Sequence, residues 1–303
     1  MLSKSTTTIN DKRDAPKARP VLAGWRNWLG VVPFFLFAFF FIVLPSVTLL
    51  VGAFKNNDGK FTLQNFVSLV DPSILNAYWV TIKISLTTAL GGGLLGFLMA
   101  YAITVGKLPK GIRSSLLTFS GVASNFAGVP LAFAFIATLG RTGLVTLLLK
   151  NIFHLDLYGQ GFSLYSFWGL SLTYMFFQFP LMILTITPAL DGLRKEWSEA
   201  AANLGASNSL YWRKVALPIL MPSILGAMIL LFGNSFGAYA TAYSLTGGFI
   251  NLITIVIGSQ IKGDIYYNPG LGYALAIGMI VVMSVMMAIY YSLRRRSERW
   301  LRK

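Results

Sequence analysis

The sequence predicts an all-α fold: a polytopic membrane helix bundle of six transmembrane helices with both termini cytoplasmic. Three observations carry that expectation. Of 303 residues, 55% are apolar and only 12% charged, against roughly 25% charged in an ordinary soluble domain. Apolar runs recur at a length suited to a bilayer, whose core a helix of about 20 such residues spans. The basic residues gather in alternate connections, as membrane orientation requires.

Residues 1 to 29 are expected to form a cytoplasmic tail. Its first 20 positions, rich in Ser, Thr, Lys and Pro, show no apolar periodicity and predict disorder. Trp25 and Trp28 then mark the interface. From Val31 to Phe54 only Ser46 and Thr48 are polar. That run is too long for a signal-peptide core and has no small-x-small cleavage site after it, so it is expected to remain as an anchor. Further spans are expected at about 78 to 103, 115 to 139, 165 to 189, 219 to 244 and 270 to 293. Residues 30 to 293 thus form one transmembrane domain containing a polar loop, 190 to 218, and residues 294 to 303 form a basic cytoplasmic tail.

Nineteen of the 25 Lys and Arg residues fall in the amino-terminal tail, in the second and fourth connections and in the carboxyl-terminal tail. That side is therefore expected to be cytoplasmic. The net charge of +15 follows from the same distribution, so nucleic acid is not an expected partner; the bilayer is. The outer connections, about 55 to 77, 140 to 164 and 245 to 269, are too short for independent domains but can touch a partner. Pro45, Pro130, Pro180, Pro188, Pro218 and Pro222 punctuate the spans and are expected to break the helical hydrogen-bond ladder. Gly92 and Gly96 form a small-xxx-small pair suited to close helix packing.

Much chemistry is excluded. With no cysteine and a single histidine, His154, there is no disulfide, thiolate site or cysteine nucleophile. No phosphate loop, HExxH or G-x-S-x-G pattern occurs, so no catalytic residue, metal site or cofactor is expected in this chain. All ten acidic residues lie outside the apolar cores, whereas proton-coupled pumps commonly bury ionisable groups at depth.

The longest polar interruption is EWSEAAANLGASNSLYWRKVALP, residues 196 to 218. Three alanines at 200 to 202 favour a helix. Trp197, Ala201 and Leu204 recur at i, i+4 and i+7 and predict one apolar face. Gly205 stops the helix, and Ser207 or Ser209 can cap a second one that re-enters the bilayer at Leu217-Pro218. Small side chains there suit close approach of another protein's surface, although an amphipathic helix lying on headgroups fits the same spacing.

Glu199, Ala200 and Ala201, three residues, Gly205, nine residues, then Val215, Ala216, Leu217 and Pro218 resemble the EAA motif, E-A-A-x3-G-x9-I-x-L-P, of permease subunits of bacterial type I ATP-binding-cassette (ABC) importers. Valine stands where that motif has isoleucine. The resemblance implies a MetI-like fold in the inner membrane and a role without enzymatic activity. It also implies three partners: an ABC ATPase dimer that carries ATP-Mg, a second permease subunit expected to make a heterodimer, and an extracytoplasmic solute-binding protein. Glu199 would contact the ATPase or hold the loop's polar network, Ala200 and Ala201 would allow close packing, and Gly205 would permit the turn.

Polar uncharged groups are expected to line the path: Thr173, Tyr174 and Gln178, then Asn234, Ser235, Tyr239, Thr241 and Tyr243. Each could instead satisfy a hydrogen bond between helices. The stretch FGNSFGAYATAYSLTGG resembles the branch that moves polyamines, aminoethylphosphonate, thiamine or ferric iron. Polyamine members commonly carry an acidic pair where Gly237 and Ala238 stand here, so a polycation would need the faces of Tyr239 and Tyr243. The competing readings are a stand-alone secondary transporter or channel, and a membrane scaffold. Neither gives a reason for the spacing of the polar loop.

Overall fold

The computed structural model describes residues 30 to 106, 108 to 262 and 267 to 298. The expected tail of residues 1 to 29, Lys107, Asp264 and the end of the basic tail from Arg299 lie outside the described residues. Two compact units divide the chain, Met1–Leu49 and Leu50–Lys303. Among the described residues the regular structure is helical, apart from one isolated bridge between Lys55 and Phe61.

Helix α1 (Val32–Ala53) begins in the first unit. The part of it in that unit has no buried residue, and Phe34, Phe37, Phe40 and Phe41 are all more than half exposed. Such a face belongs in lipid or against another chain. At Phe39–Val43 the helix widens, so that the Leu44 N–H bonds back five residues to Phe39. Pro45 follows at once, and its ring would crowd the carbonyl four residues back in a regular helix.

In the second unit the order is α2 (Gln64–Val67), α3 (Pro72–Val105), α4 (Lys110–Asn125), α5 (Val129–Leu139), α6 (Leu144–Phe153), α7 (Phe167–Asp191) and α8 (Lys195–Asn203). There follow α9 (Asn208–Phe236), α10 (Ala240–Thr246), α11 (Ile253–Lys262) and α12 (Pro269–Glu298). Six stretches are long and apolar enough to cross a membrane: α1, α3, Val129–Phe153, α7, α9 and α12.

Helix α7 is the axis of this unit, with 61% of its most apolar window buried against 17% for α12. Helix α3 runs along it through glycines. A Cβ on Gly92 would lie 2.6 Å from the Gln178 Cβ, and one on Gly96 2.6 Å from the Met182 Cβ. Ile183, Ile186, Leu220, Leu231 and Phe232 fill the core between α7 and α9, while Leu131, Leu170, Phe177 and Leu245 fill a second core under α5 and α10. Burial of each such side chain contributes roughly 1.5–3 kcal/mol where the alternative is water.

Two expected spans are interrupted. The run at 115 to 139 breaks at residues 126 to 128, where Gly128 takes φ +76° and Pro130 opens α5 in its first turn instead of kinking a longer helix. Its crossing length is made up from α5 and α6, 129 to 153. The run at 219 to 244 stops at Phe236 and resumes at Ala240 after residues 237 to 239. Helices α6 and α11 lie in the expected connections 140 to 164 and 245 to 269.

Candidate coupling and translocation sites

The polar loop folds as its capping residues dictate. Helix α8 ends in a reciprocal pair of bonds, Gly205 N–H to the Ala202 carbonyl and Ala206 N–H to the Ala201 carbonyl, both at 2.9 Å. This double closure requires a left-handed residue after the cap, and Gly205 supplies it at φ +77°. Ser207 caps the next turn by accepting the Leu210 N–H at 3.3 Å. The chain then widens at Trp212–Ala216, where Leu217 N–H bonds back to Trp212. Pro218 follows immediately, repeating the arrangement seen before Pro45.

No residue of α8 is buried. Glu199 and Ala200 are exposed, and Ala201 is half-buried. Glu199 forms no hydrogen bond or ion pair with another described residue, so it does not hold a polar network within the loop. Leu204 departs from the expected apolar face: it sits past the last helical residue, where the chain turns, and is 88% exposed. Leu217 and Pro218 are half-buried where α9 enters the core, beside buried Ala216 and Leu220. At the start of the loop an Arg113 Nη2–Asp191 Oδ2 ion pair of 2.6 Å ties α4 to the end of α7.

The residues expected along the path separate into two groups. Tyr174, Gln178, Ser235, Thr173 and Thr241 are buried between helices. The Tyr174 hydroxyl donates to the Ala238 carbonyl at 2.9 Å, and Gln178 Nε2 donates to the Leu231 carbonyl at 2.7 Å. Ser235 Oγ lies 2.9 Å from Thr88 Oγ1, Thr173 bonds its own helix, and Thr241 Oγ1 accepts the Gly128 N–H at 2.7 Å. Gln178 Oε1 is buried without a partner. Asn234 and Tyr243 are exposed and Tyr239 is half-buried.

The Gly128–Thr241 bond joins the two helix interruptions. Non-helical backbone at membrane depth is tolerated where protein buries it or where it lines a watery cavity, and paired breaks mark binding regions in transporters. Beside the second break the Tyr239 and Tyr243 rings stack at 5.5 Å with an interplanar angle of 17°. Gly237, Tyr239, Thr254, Gly258 and Lys262 line a cleft of about 320 Å³ there. Lys262 Nζ lies 5.9 Å from the Tyr239 ring centre. A Cβ on Gly258 would approach that ring to 2.9 Å. Lys262 and Gly258 escape a reading based on polar uncharged groups; the signal that could have found them is a lone cation ending an apolar run at 250 to 262.

In the outer connection 140 to 164, Lys150 pairs with Asp156 at 3.0 Å, and Arg141 lies over the Tyr158 ring at 5.7 Å. The Asp156 carboxyl is held below its ordinary range, first by the Gly159 amide and then by Lys150.

Among the described residues, six helical stretches suited to crossing a membrane, two of the expected runs interrupted, and an exposed capped helix on one connection describe a polytopic membrane protein. Residues 20–303 match the family described as "Binding-protein-dependent transport system inner membrane component", and the chain belongs to that family. It is therefore a permease subunit of an ABC transporter in the inner membrane; such subunits are not enzymes, and ATP hydrolysis lies in a separate chain. Among its relatives is the probable sulfate transport system permease protein cysT of Prototheca wickerhamii, 28% identical over 83% of this chain and 93% of the relative. Another is the spermidine/putrescine transport system permease protein PotB of Haemophilus influenzae, 25% identical over 85% and 90%. A bacterial ABC transporter involved in alginate import has the same fold, with TM-score 0.70, 18% identity and coverage of 91% of this chain and 97% of that one.

Proposed function

We propose that this chain forms half of the translocation path for a small polar solute and couples it to the separate ATPase through α8. The observation that carries the reading is an α8 with no buried residue, closed by Gly205 and bearing an 88% exposed Leu204. An apolar side chain held out from a rigidly capped turn is an anchor for a partner's pocket. Glu199, Ala200 and Ala201 form the flank that meets the ATPase, and Leu217 and Pro218 pass the displacement into α9. The α8 end of the bundle is cytoplasmic. Two distinct sulfate permeases of Escherichia coli, CysT and CysW, are both relatives, which favours pairing with a second, non-identical permease.

Asn234, Tyr239 and Tyr243 are the groups of this chain that meet the solute. We assign the solute to small anions of the sulfate or phosphonate type, aminoethylphosphonate included. Among the described residues Lys262 is the charged side chain of the cleft, and it occupies the Tyr239 face that a polycation would need. A polyamine is the second reading, favoured by the stacked tyrosines and by the relationship to PotB.

The test is to purify the chain gently from its native membrane and identify what accompanies it by mass spectrometry, then to determine the ligand of the binding protein. A second permease is expected in equal amount with this chain, together with the ATPase as a dimer, and Lys262→Glu should depress uptake of an anionic ligand. A chain that emerges alone and catalyses flux in ATP-free vesicles would overturn the coupling reading. A binding protein loaded with a polyamine would overturn the anion assignment.

A further inference from the structure

Helices α9 and α12 bound a second feature at their ends nearest the α8 connection. Arg213, Lys214, Leu217, Pro218, Met221 and Arg296 line a cleft of about 460 Å³ at the basic ends of both helices. None of its three cations forms a salt bridge with a described acidic residue, and no described acidic side chain lines the cleft. One turn further along α9 begins an apolar groove of about 330 Å³, walled by Leu225, Met228, Ile229, Met286, Ile289 and Leu293. Tyr290 borders that groove, with its hydroxyl against Gly226, where a Cβ would lie 3.3 Å away.

We infer that the cleft and the groove one turn beyond it together form a binding site for one anionic phospholipid. Two independent features select that occupant. Three cations converge at the end of the bundle that carries the polar loop, and clusters of Lys and Arg there recognise anionic headgroups. Directly behind them is an uncharged, apolar channel, which a free phosphate would not use. Its α9 wall runs from Leu225 to Phe232, about 10 Å at a rise of 1.5 Å per residue, which takes the upper two-thirds of an acyl chain in one leaflet of a core about 30 Å thick. Tyr290 lies six residues, about 9 Å of helix rise, inward of Arg296, where its hydroxyl offers the groove one polar group beside Gly226. A lipid held there touches α9 just where the widened turn at Trp212–Ala216 joins the polar loop to the bundle.

The experiment uses the complete importer, purified with its partners and placed in nanodiscs of phosphatidylethanolamine with or without phosphatidylglycerol, and counts retained lipid by native mass spectrometry. Phosphatidylglycerol is expected to be retained selectively. Arg213→Ala, Lys214→Ala and Arg296→Ala together should reduce that selectivity by roughly a hundred-fold, about five-fold per cation. Arg213→Lys with Arg296→Lys keeps the charge and should keep the selectivity. Ile289→Trp obstructs the groove, leaves the cations alone and should release the lipid, which keeps the test decisive if the triple variant fails to assemble. Undiminished retention in either the triple variant or Ile289→Trp would overturn the assignment. So would displacement by glycerophosphate at equal concentration, which would reveal a phosphate site without an acyl chain, or retention by the isolated chain but not by the importer.

Discussion

Replacing Gly205 tests the coupling reading at its narrowest point. The residue sits at φ +77°, and a Cβ built there meets nothing within 4 Å, so a side chain brings conformational strain without a clash. An L-residue in the left-handed region costs about 1–2 kcal/mol, a factor of roughly 5–30 in the equilibrium of the affected element. The nine residues of α8 have no buried side chain to offset that cost, and isolated helices shorter than about 12 residues are marginal in water. The strain should therefore fray the end of α8 while the buried core stays intact. Asparagine tolerates the left-handed region, so uptake should fall in the order Gly, Asn, Ala, Val. The assay is uptake and ATP hydrolysis measured together in proteoliposomes containing the whole importer and its loaded binding protein. Gly205→Val is expected to insert normally, retain hydrolysis and lose most uptake. Normal uptake by Gly205→Val, or equal losses for Asn and Val, would refute the backbone argument.

Four further outcomes follow from the same geometry. Leu204→Asp should weaken retention of the ATPase on purification and leave the chain's own melting temperature unchanged, because that side chain is already solvent-exposed. Gln178→Leu should alter stability by less than about 1 kcal/mol and preserve uptake, since the lost bond to Leu231 is offset by removal of a buried, unpartnered Oε1; lost uptake at unchanged stability would return Gln178 to the path. Gly96→Leu should abolish accumulation of folded protein, because even the first added carbon meets the Phe179 carbonyl and Met182, whereas Gly111→Leu, in open space, should be tolerated; normal expression of Gly96→Leu would refute the tight α3–α7 contact. The depressed Asp156 carboxyl contributes order to its loop above the ordinary carboxylate range, and that contribution disappears as pH falls through the folded value. Hydrogen exchange at the Gly159 amide, which donates to Asp156 Oδ1 at 2.9 Å, should therefore accelerate in acid beyond its intrinsic pH dependence, and Asp156→Asn should remove the acceleration.

The number of crossings was legible because the bilayer imposes a length on any apolar helix, although the third lies at 129 to 153 and not at 115 to 139, and the turn in the polar loop was legible because cap geometry is written locally in Gly205 and Ser207. The interruptions at 126 to 128 and 237 to 239 were not. Apolar composition continues through both, and the bonds that hold the freed backbone, Gly128 N–H to Thr241 and the Tyr174 hydroxyl to the Ala238 carbonyl, are tertiary. The same limit applies to the polar groups within the spans. Tyr174 and Tyr239 look alike in sequence, yet one hydroxyl closes an unwound carbonyl and the other ring borders a cleft. Which role each takes depends on helix rotation, and a short stretch of sequence does not specify that.

Motion at α8 enters a stiff part of the fold. Residues 192 to 194 connect α8 to α7, and α7 is locked to α3 through Gly92 and Gly96 at separations that leave no room to slide. On its other side α8 leads through the Schellman turn and the widened turn at Trp212–Ala216 into α9, which is held to α3 by Thr88 and Ser235 and to α7 by Gln178. Interlocked packing of this kind responds to force by moving as a body rather than by deforming. The compliant points are then the two interruptions, where Gly128 and residues 237 to 239 break the ladder and one hydrogen bond, Gly128 to Thr241, spans the gap. A push on the Leu204 tip should therefore be felt as a change at the Tyr239 cleft, with α3, α7 and α9 acting as the lever and the paired breaks as its hinge. Thr241→Val, which removes the bridging acceptor, tests this directly: uptake should change while binding of the ATPase at α8 does not. An unchanged uptake rate would place the hinge elsewhere.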